Sequence, residues 1–206
     1  LDAENEFCIK NDQIMTHLFI AVLPKTTIFT AEKAFSMLSK VENTNCIEVG
    51  VFCGKSLMHL LENSKPKHVF AIDPFEGNVV QSVMHDDFFG LEIDKTPHYQ
   101  YDKVLKKFDE FDNVTFIRDY SPLENYPMPE IGYAFIDGDH SKDSVLKDAE
   151  WIYSLMTEGV MVFDDYAIES VKEALNVFAQ KYNLEINLSK PNHHLNTVAW
   201  ILVKKG

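Results

Sequence analysis

Two short acidic runs concentrate the reactive side chains of this 206-residue chain: Asp137-Gly138-Asp139-His140 and Asp164-Asp165-Tyr166. If both face one crevice, each pair of like charges at about 4 Å costs on the order of 1–4 kcal/mol, depending on the local dielectric. Three carboxylates so placed call for a cation or for protons. Ligation by oxygen alone suits Mg²⁺, Ca²⁺ or Mn²⁺ better than zinc or copper. The competing use is capping, with Asp139 or Ser141 heading a helix that begins near residue 142, and Asp164 or Asp165 heading one near 168. One aspartate per helix satisfies capping; two per turn exceed it.

A third run, Glu48-Val49-Gly50-Val51-Phe52-Cys53-Gly54-Lys55-Ser56, is a Gly-containing turn that leads into a helix. The N-terminus of such a helix can receive a carboxylate or a phosphate. Phe52 stands where the dinucleotide fingerprint has its middle glycine, so no pyrophosphate is expected here. Asp73 follows Gly50 by about twenty residues, the separation at which a carboxylate takes both hydroxyls of a ribose. Turn and carboxylate together point to an adenosine without a pyrophosphate, against the plainer use of such a turn in strand-to-helix packing.

Hydrophobic periodicity supplies the elements that must position these residues. Short apolar runs at 46–49, 69–72, 114–117, 133–136 and 160–163, bounded by Gly, Asp or Pro, read as buried parallel strands. Segments 54–63, 99–111, 142–156 and 168–182 carry apolar residues at helical spacing. That alternation specifies a doubly wound, Rossmann-like α/β sheet with helices on both faces. Glu48 to Ser56, Asp73 and both acidic runs then lie at the carboxyl ends of strands, where open parallel sheets bind ligands. Two more strand-like runs, 184–188 and 197–203, are joined by eight residues, 189–196. Eight residues are too few for a helical crossover, so an antiparallel pair at a sheet edge is expected. The sheet therefore has seven strands, mostly parallel with an antiparallel final one. Ahead of it, Ile14, Leu18 and Val22, and then Ala34, Phe35 and Leu38 after Thr30, mark two helices within 1–43. One domain over 1–206 is expected, with Pro122, Pro127 and Pro129 in a rigid loop between the third and fourth strands.

Composition narrows the classes further. With 46% hydrophobic, 12% aromatic and 25% charged residues, the chain is neither disordered nor fibrous. Its 19 basic and 32 acidic residues give a formal charge of −13. A surface this acidic repels phosphate backbones, which argues against nucleic acid as a partner. Three cysteines without metal-ligand spacing, Cys8, Cys46 and Cys53, fit neither a disulfide framework nor a zinc site and point to a reducing cytoplasm. The longest apolar run, 18–23, is too short to span a bilayer, so no membrane partner is expected.

Taken together the motifs resemble class I S-adenosylmethionine-dependent methyltransferases, and among them the divalent-metal-dependent small-molecule O-methyltransferases. The 48–56 run is similar to the first motif of catechol O-methyltransferase. The segments 136–141 and 162–166 are similar to the corresponding motifs of macrocin O-methyltransferase relatives. The likeness covers about residue 30 to the C-terminus, without the first helix or the segment after Asp73. It implies that Glu48 and Ser56 hold the methionine moiety of S-adenosylmethionine, beside Gly50 in the turn. Asp73 would hold the ribose, Ser121 the adenine, and Asp137, Asp164 and Asp165 a divalent cation, with Mg²⁺ the expected one. His140 falls where the catechol and caffeoyl enzymes place a catalytic lysine. Imidazole titrates near neutrality and suits a general base there, beside Asp137.

The implied reaction is methyl transfer to a hydroxyl of a small molecule such as a sugar, a catechol or another diol; a homo-oligomer is compatible with it. Two rivals stand beside it. A metal-dependent glycosyltransferase would use Asp137-Gly138-Asp139 but leave the 48–56 turn unexplained, and a non-catalytic nucleoside-binding module would leave the acidic triad surplus. Substrate choice is expected to lie outside the core. Segment 74–98, with Phe75, His85, Asp86, Asp87, Phe88 and Phe89, is long enough for a lid. His193 and His194 face the metal site if the 189–196 loop emerges at the same edge. His17, His59 and His68 read as structural, Cys53 as packing under the cofactor turn, and 108–112 as a solvated helix end.

Overall fold

The computed structural model describes residues 39–76, 97–190 and 197–206, together with Ala34 and Ser36. The leading helices expected within 1–43 lie almost entirely outside the described residues, as do most of the 74–98 insertion, His193 and His194. Seven strands form one sheet: β1 (Asn45–Val49), β2 (His68–Ile72), β3 (Val114–Ile117), β4 (Tyr133–Ile136), β5 (Glu158–Phe163), β6 (Asn187–Leu188) and β7 (Ala199–Lys204). Their order across the sheet is β3-β2-β1-β4-β5-β7-β6. The helices are α1 (Lys55–Asn63), α2 (Pro97–Lys107), α3 (Lys142–Ser154) and α4 (Glu169–Tyr182).

Side chains alternate strictly between two apolar layers, as strand geometry requires. Cys46, Ala71, Phe135 and Val162 face α1 and α2, where Leu57, Leu60 and Val104 cover them. Ile47, Ile72, Ile136 and Phe163 face α3 and α4, under Val145, Ile152, Leu175 and Phe178. Each large side chain so buried contributes roughly 1.5–3 kcal/mol. Glu48 breaks the pattern in β1, being 1% exposed on the layer that Cys46 lines.

Register sets the site. Val49 pairs with Ile72 on one side and Ile136 on the other, Ile72 with Ile117, and Ile136 with Phe163. The residues one step beyond, Gly50, Asp73, Asp137 and Asp164, therefore leave the sheet at one level. Strand order reverses between β1 and β4, where doubly wound sheets bind their ligands.

Several expectations need adjustment. β3 is half-buried along its whole length, because it is the sheet's edge. The last two strands do pair antiparallel, but β7 lies inside the sheet between β5 and β6. β7 matches all six residues of β5, whereas β6 offers only two, so the longer ladder takes the interior place. Leu184 and Ile186 pack against the α4 layer instead of extending β6. Phe108, expected at a solvated helix end, is 3% exposed and packs in the α1 layer. No helix among the described residues is long and apolar enough to cross a membrane.

Candidate functional site

The turn after β1 is fixed by its backbone. Gly50, Phe52 and Gly54 have φ of 84°, 49° and 72°, values that L side chains adopt only at a cost. A Cβ on Gly50 would stand 1.9 Å from the Asp137 carbonyl oxygen, and one on Gly54 would stand 2.6 Å from the Phe108 ring. The turn is clamped from β2: Val51 and Phe52 donate their amides to Asp73 Oδ2, both at 2.8 Å, and Phe75 donates to Oδ1 at 2.6 Å. Asp73, the expected ribose ligand, thus first organises the turn. A carboxylate has about four lone-pair positions, so three amides leave room for a further donor.

Glu48 lies beneath this turn and accepts from Ser56 Oγ at 2.5 Å. Burial pushes its carboxyl up to about 8; the Ser56 hydroxyl opposes the rise and the charges of Asp137 and Asp73 add to it. An acid buried and neutral in this way fits a cationic group, whose arrival restores the ionised form.

The tips of β4 and β5 are organised differently. Asp139 accepts from the Ser141 amide at 2.8 Å and from Ser144 Oγ at 3.2 Å, and Ser141 caps α3. At β5 neither aspartate caps: α4 starts from Ile168 without a side-chain cap bond. Capping therefore accounts for Asp139 and leaves Asp137, Asp164 and Asp165 to another use. His140 Nε2 stands 3.3 Å from Asp137 Oδ1 and 3.6 Å from Asp165 Oδ2. One donor atom from each of these three residues falls within 4.8 Å of the others, a spacing that could hold a metal ion. Asp164 turns one oxygen to the Asp165 amide at 2.8 Å, while Asp165 has a left-handed backbone with φ 52°. The structure thus groups Asp137 and Asp165 with His140, and sets Asp164 beside them.

The electrostatics follow from this crowding. Burial raises the Asp137 carboxyl, with Asp165 adding to the rise and the His140 hydrogen bond opposing it. Asp164 is pushed up to about 6 by burial and then by Asp137. The hydrogen bond to Asp137 raises His140, with further help from the neighbouring carboxylates and opposition from burial. Ser170 Oγ donates to the His140 carbonyl at 2.6 Å, pinning the residue to α4.

Sequence reasoning missed Asp148. It lies on α3 and is 3% exposed, directly behind the β4 turn, where a Cβ on Gly138 would stand 3.8 Å from its Oδ2, and burial pushes its carboxyl up to about 6. The signal was available, since Val145, Asp148, Ala149 and Ile152 share one helical stripe and only one of them is charged. β6 runs parallel to β5 and ends at Leu188, and the antiparallel β7 begins at Ala199, so both of these strand ends stand at the carboxyl edge of the sheet. Thr197, just ahead of β7, accepts from the Tyr166 amide at 3.0 Å, beside the acidic tip.

A family model described as a methyltransferase domain matches residues 47–166, more than half of the chain and all of the turns just described. An uncharacterized protein of Acanthamoeba polyphaga mimivirus is 28% identical over 144 residues, which are 64% of this chain and 58% of the viral protein. The chain thus matches somewhat over half the length of that relative. Among solved structures, a cofactor-bound protein from MTB is similar with a TM-score of 0.62 at 15% identity, covering 90% of this chain and 85% of that one. A Streptococcus mutans protein in complex with S-adenosylhomocysteine (SAH) gives 0.59 at 16% identity, covering 83% and 96%. An rRNA methylase from Streptococcus thermophilus gives 0.57 at 11% identity, covering 84% and 93%. At these identities the likeness is one of fold, and it is the family match across the β1, β4 and β5 turns that places the chain in the methyltransferase-domain family.

Proposed function

We propose that this chain transfers the methyl group of S-adenosylmethionine to a hydroxyl of a small molecule with adjacent oxygens, and that a divalent cation, Mg²⁺ first among them, helps to hold the acceptor. One observation carries the reading: Asp137 and Asp165 converge with His140 at the strand tips, and neither α3 nor α4 uses either carboxylate as a cap. Oxygen and imidazole donors fit a hard divalent cation. Asp137 and Asp165 would hold it, with Asp164 or His140 completing the set. Bound there, a cation lowers the pKa of an acceptor hydroxyl and fixes its position.

Glu48 and Ser56 would take the amino-acid end of the cofactor, and Asp73, past its three amides, a ribose hydroxyl. The remaining work is alignment, because displacement at a sulfonium methyl needs the acceptor oxygen, carbon and sulfur in line. If His140 is a cation ligand, its Nε2 is occupied; if it is the general base, Nε2 is the atom that takes the proton. These two roles exclude each other at one nitrogen. An acceptor with many phosphates is disfavoured by the net charge of −13. The glycosyltransferase rival left the β1 turn idle, whereas the family match runs through that turn. His193 and His194 remain the proposed acceptor contacts, on the strength of the edge at which β6 ends and β7 begins.

Calorimetry with SAH, a nucleotide sugar and Mg²⁺, followed by methyl transfer to a panel of catechols and sugars with and without chelator, tests the reading. Heat with SAH and chelator-sensitive turnover are expected. Full turnover in chelator would remove the cation from it. His140→Ala should cost roughly 10²- to 10⁴-fold in rate if it is the base, and a loss within about threefold across pH would assign His140 elsewhere.

A further inference from the structure

Serine is a weak helix former whose hydroxyl competes for backbone groups, so its usual places are caps and turns. Ser170 stands in the first turn of α4 yet caps nothing, since Ile168 is the N-cap and no side chain makes a cap bond there. Its hydroxyl instead donates to the His140 carbonyl on the far side of the acidic tips, at 2.6 Å. The peptide that joins His140 to Ser141 is thereby held at both ends, because its N–H donates to Asp139 Oδ1 at 2.8 Å. Asp139 belongs to the same turn and moves with it; Ser170 is the tie to another element. In the same turn of α4 the Ile168 amide donates to the Asp165 carbonyl at 2.8 Å. One helical turn therefore grips the β4 side by His140 and the β5 side by Asp165, the two residues whose side chains approach to 3.6 Å. Val171, Ala174, Leu175 and Phe178 are buried on α4, so that turn is a fixed reference. Lys142 and Glu173 also join α3 to α4 at 3.0 Å, but both are about half exposed and such a pair contributes little.

We propose that Ser170 is a positioning residue for His140: by holding the His140 carbonyl to the first turn of α4, its hydroxyl sets the imidazole between Asp137 and Asp165. The inference rests on the function proposed above, in which His140 is either a cation ligand or the general base. In either role the ring must stand in place before the reactants arrive, and a partner that fixes the residue removes that ordering step. Ser170 should therefore act wherever His140 acts. The β1 turn, clamped from Asp73, is built without it.

The test compares the full chain with Ser170→Ala, Ser170→Thr, His140→Ala and the Ser170→Ala, His140→Ala double variant. Histidine labelled with ¹⁵N gives the His140 ring a resonance of its own, identified by its loss in His140→Ala and recorded at one fixed pH without metal or cofactor. That resonance should shift in Ser170→Ala and return in Ser170→Thr, which keeps the hydroxyl. Mn²⁺ affinity and kcat with a catechol acceptor are then measured on each protein. Whichever of the two falls in His140→Ala should fall about tenfold in Ser170→Ala, the scale of losing a partner that orients a ligand or a reacting group. The double variant should be no worse than His140→Ala alone, because both changes act through one ring. SAH affinity in Ser170→Ala should stay within about twofold of the unaltered chain.

An unmoved His140 resonance in Ser170→Ala overturns the proposal and leaves the serine a packing residue. Fully additive losses in the double variant do the same, since the two residues would then act separately. If His140→Ala lowers neither quantity in a chain that binds Mn²⁺ and turns over, His140 has no part in the site and the proposal falls with it. Should Ser170→Ala fail to fold, Ser170→Cys takes its place under the same criteria, because a thiol is a much weaker donor than a hydroxyl. Neither Mn²⁺ binding nor turnover in the unaltered chain is a different result: it defeats the proposed function, and the resonance then decides by itself whether Ser170 sets the ring.

Discussion

Asp73 and Asp165 both leave the sheet at the same edge, yet they meet opposite surroundings. Asp73 accepts from three backbone amides, whereas Asp165 faces the imidazole of His140 at 3.6 Å with Asp137 beyond it. Around β1 and β2 the charge is matched by fixed dipoles and the geometry is set by glycines. At β4 and β5 the charge is matched by one titratable ring between Asp137 and Asp165, and burial raises the proton affinities of Asp137 and Asp164. The first region is preorganised without a ligand, as a binding site for a common cofactor needs to be. The second stores repulsion, which a cation or substrate can relieve, and selectivity can act there.

Breaking the rigid region should have the largest effect. Gly50→Ala places a methyl group 1.9 Å from the Asp137 carbonyl oxygen at a φ of 84°. Both the clash and the backbone oppose it, and neither can relax without moving the β4 tip. The variant is expected to lose SAH binding entirely and to melt at least about 10 °C lower, as a loss of several kcal/mol implies. Normal melting would mean that the two turns are free to slide past one another.

The tense region should respond in the reverse sense for stability. The Asp137→Asn, Asp165→Asn double variant removes two carboxylates that crowd one ring, so it should melt no lower than the unaltered chain in the absence of metal. Turnover should fall about 10²-fold or more, on the scale of removing a metal-assisted contribution of several kcal/mol. A large drop in melting temperature together with retained turnover would show that these carboxylates hold the fold. Between these extremes lies Asp73→Ala, which strips an acceptor from three amides and should weaken both. Each charge-assisted bond is worth roughly 1.5–3 kcal/mol, so thermal stability and SAH affinity should fall together in calorimetry and melting. Loss of affinity alone would assign Asp73 purely to the ribose.

The same contrast decides what could be read from the chain. The strands themselves, the acidic tips and the β1 turn were legible, because each rests on local periodicity or on Gly and Asp at fixed spacing. Capping by Asp139 and Ser141 was anticipated for the same reason. Which aspartate joins His140 was not legible, since it depends on the left-handed backbone of Asp165, a rare conformation outside glycine. The clamp of Asp73 on the β1 turn was likewise hidden, because two of its three partners are amides more than twenty residues earlier. Phe108 escaped notice because the acidic residues around it mask a ring that fills the space left by Gly54.

The smallest expected effect is a pH dependence that separates the regions by a single atom. Glu48 keeps its proton up to about pH 8 in the folded chain, whereas an unfolded glutamate gives it up near about 4.3. Between those values the folded state binds more protons than the unfolded one, so the contribution of Glu48 to stability falls as pH rises. Asp148 and Asp164, pushed up to about 6, act in the same direction over a lower window. Raised His140 does so as well, being stabilising below its unfolded pKa and losing that contribution as pH rises through the folded one. Self-repulsion from the acidic surface also grows with pH, so the slope of the unaltered chain cannot isolate Glu48. Glu48→Gln can, since glutamine copies the neutral acid and still accepts from Ser56. Below about pH 4, where this glutamate is protonated both folded and unfolded, the two proteins should melt together. Between pH 6 and 8 the glutamine variant should gain on the unaltered chain by at most a few degrees per pH unit, the ceiling set by one titrating group. A difference in melting temperature that stays constant across that range would mean that Glu48 is ionised beneath the turn, and the cationic end of the cofactor would then meet a carboxylate already charged.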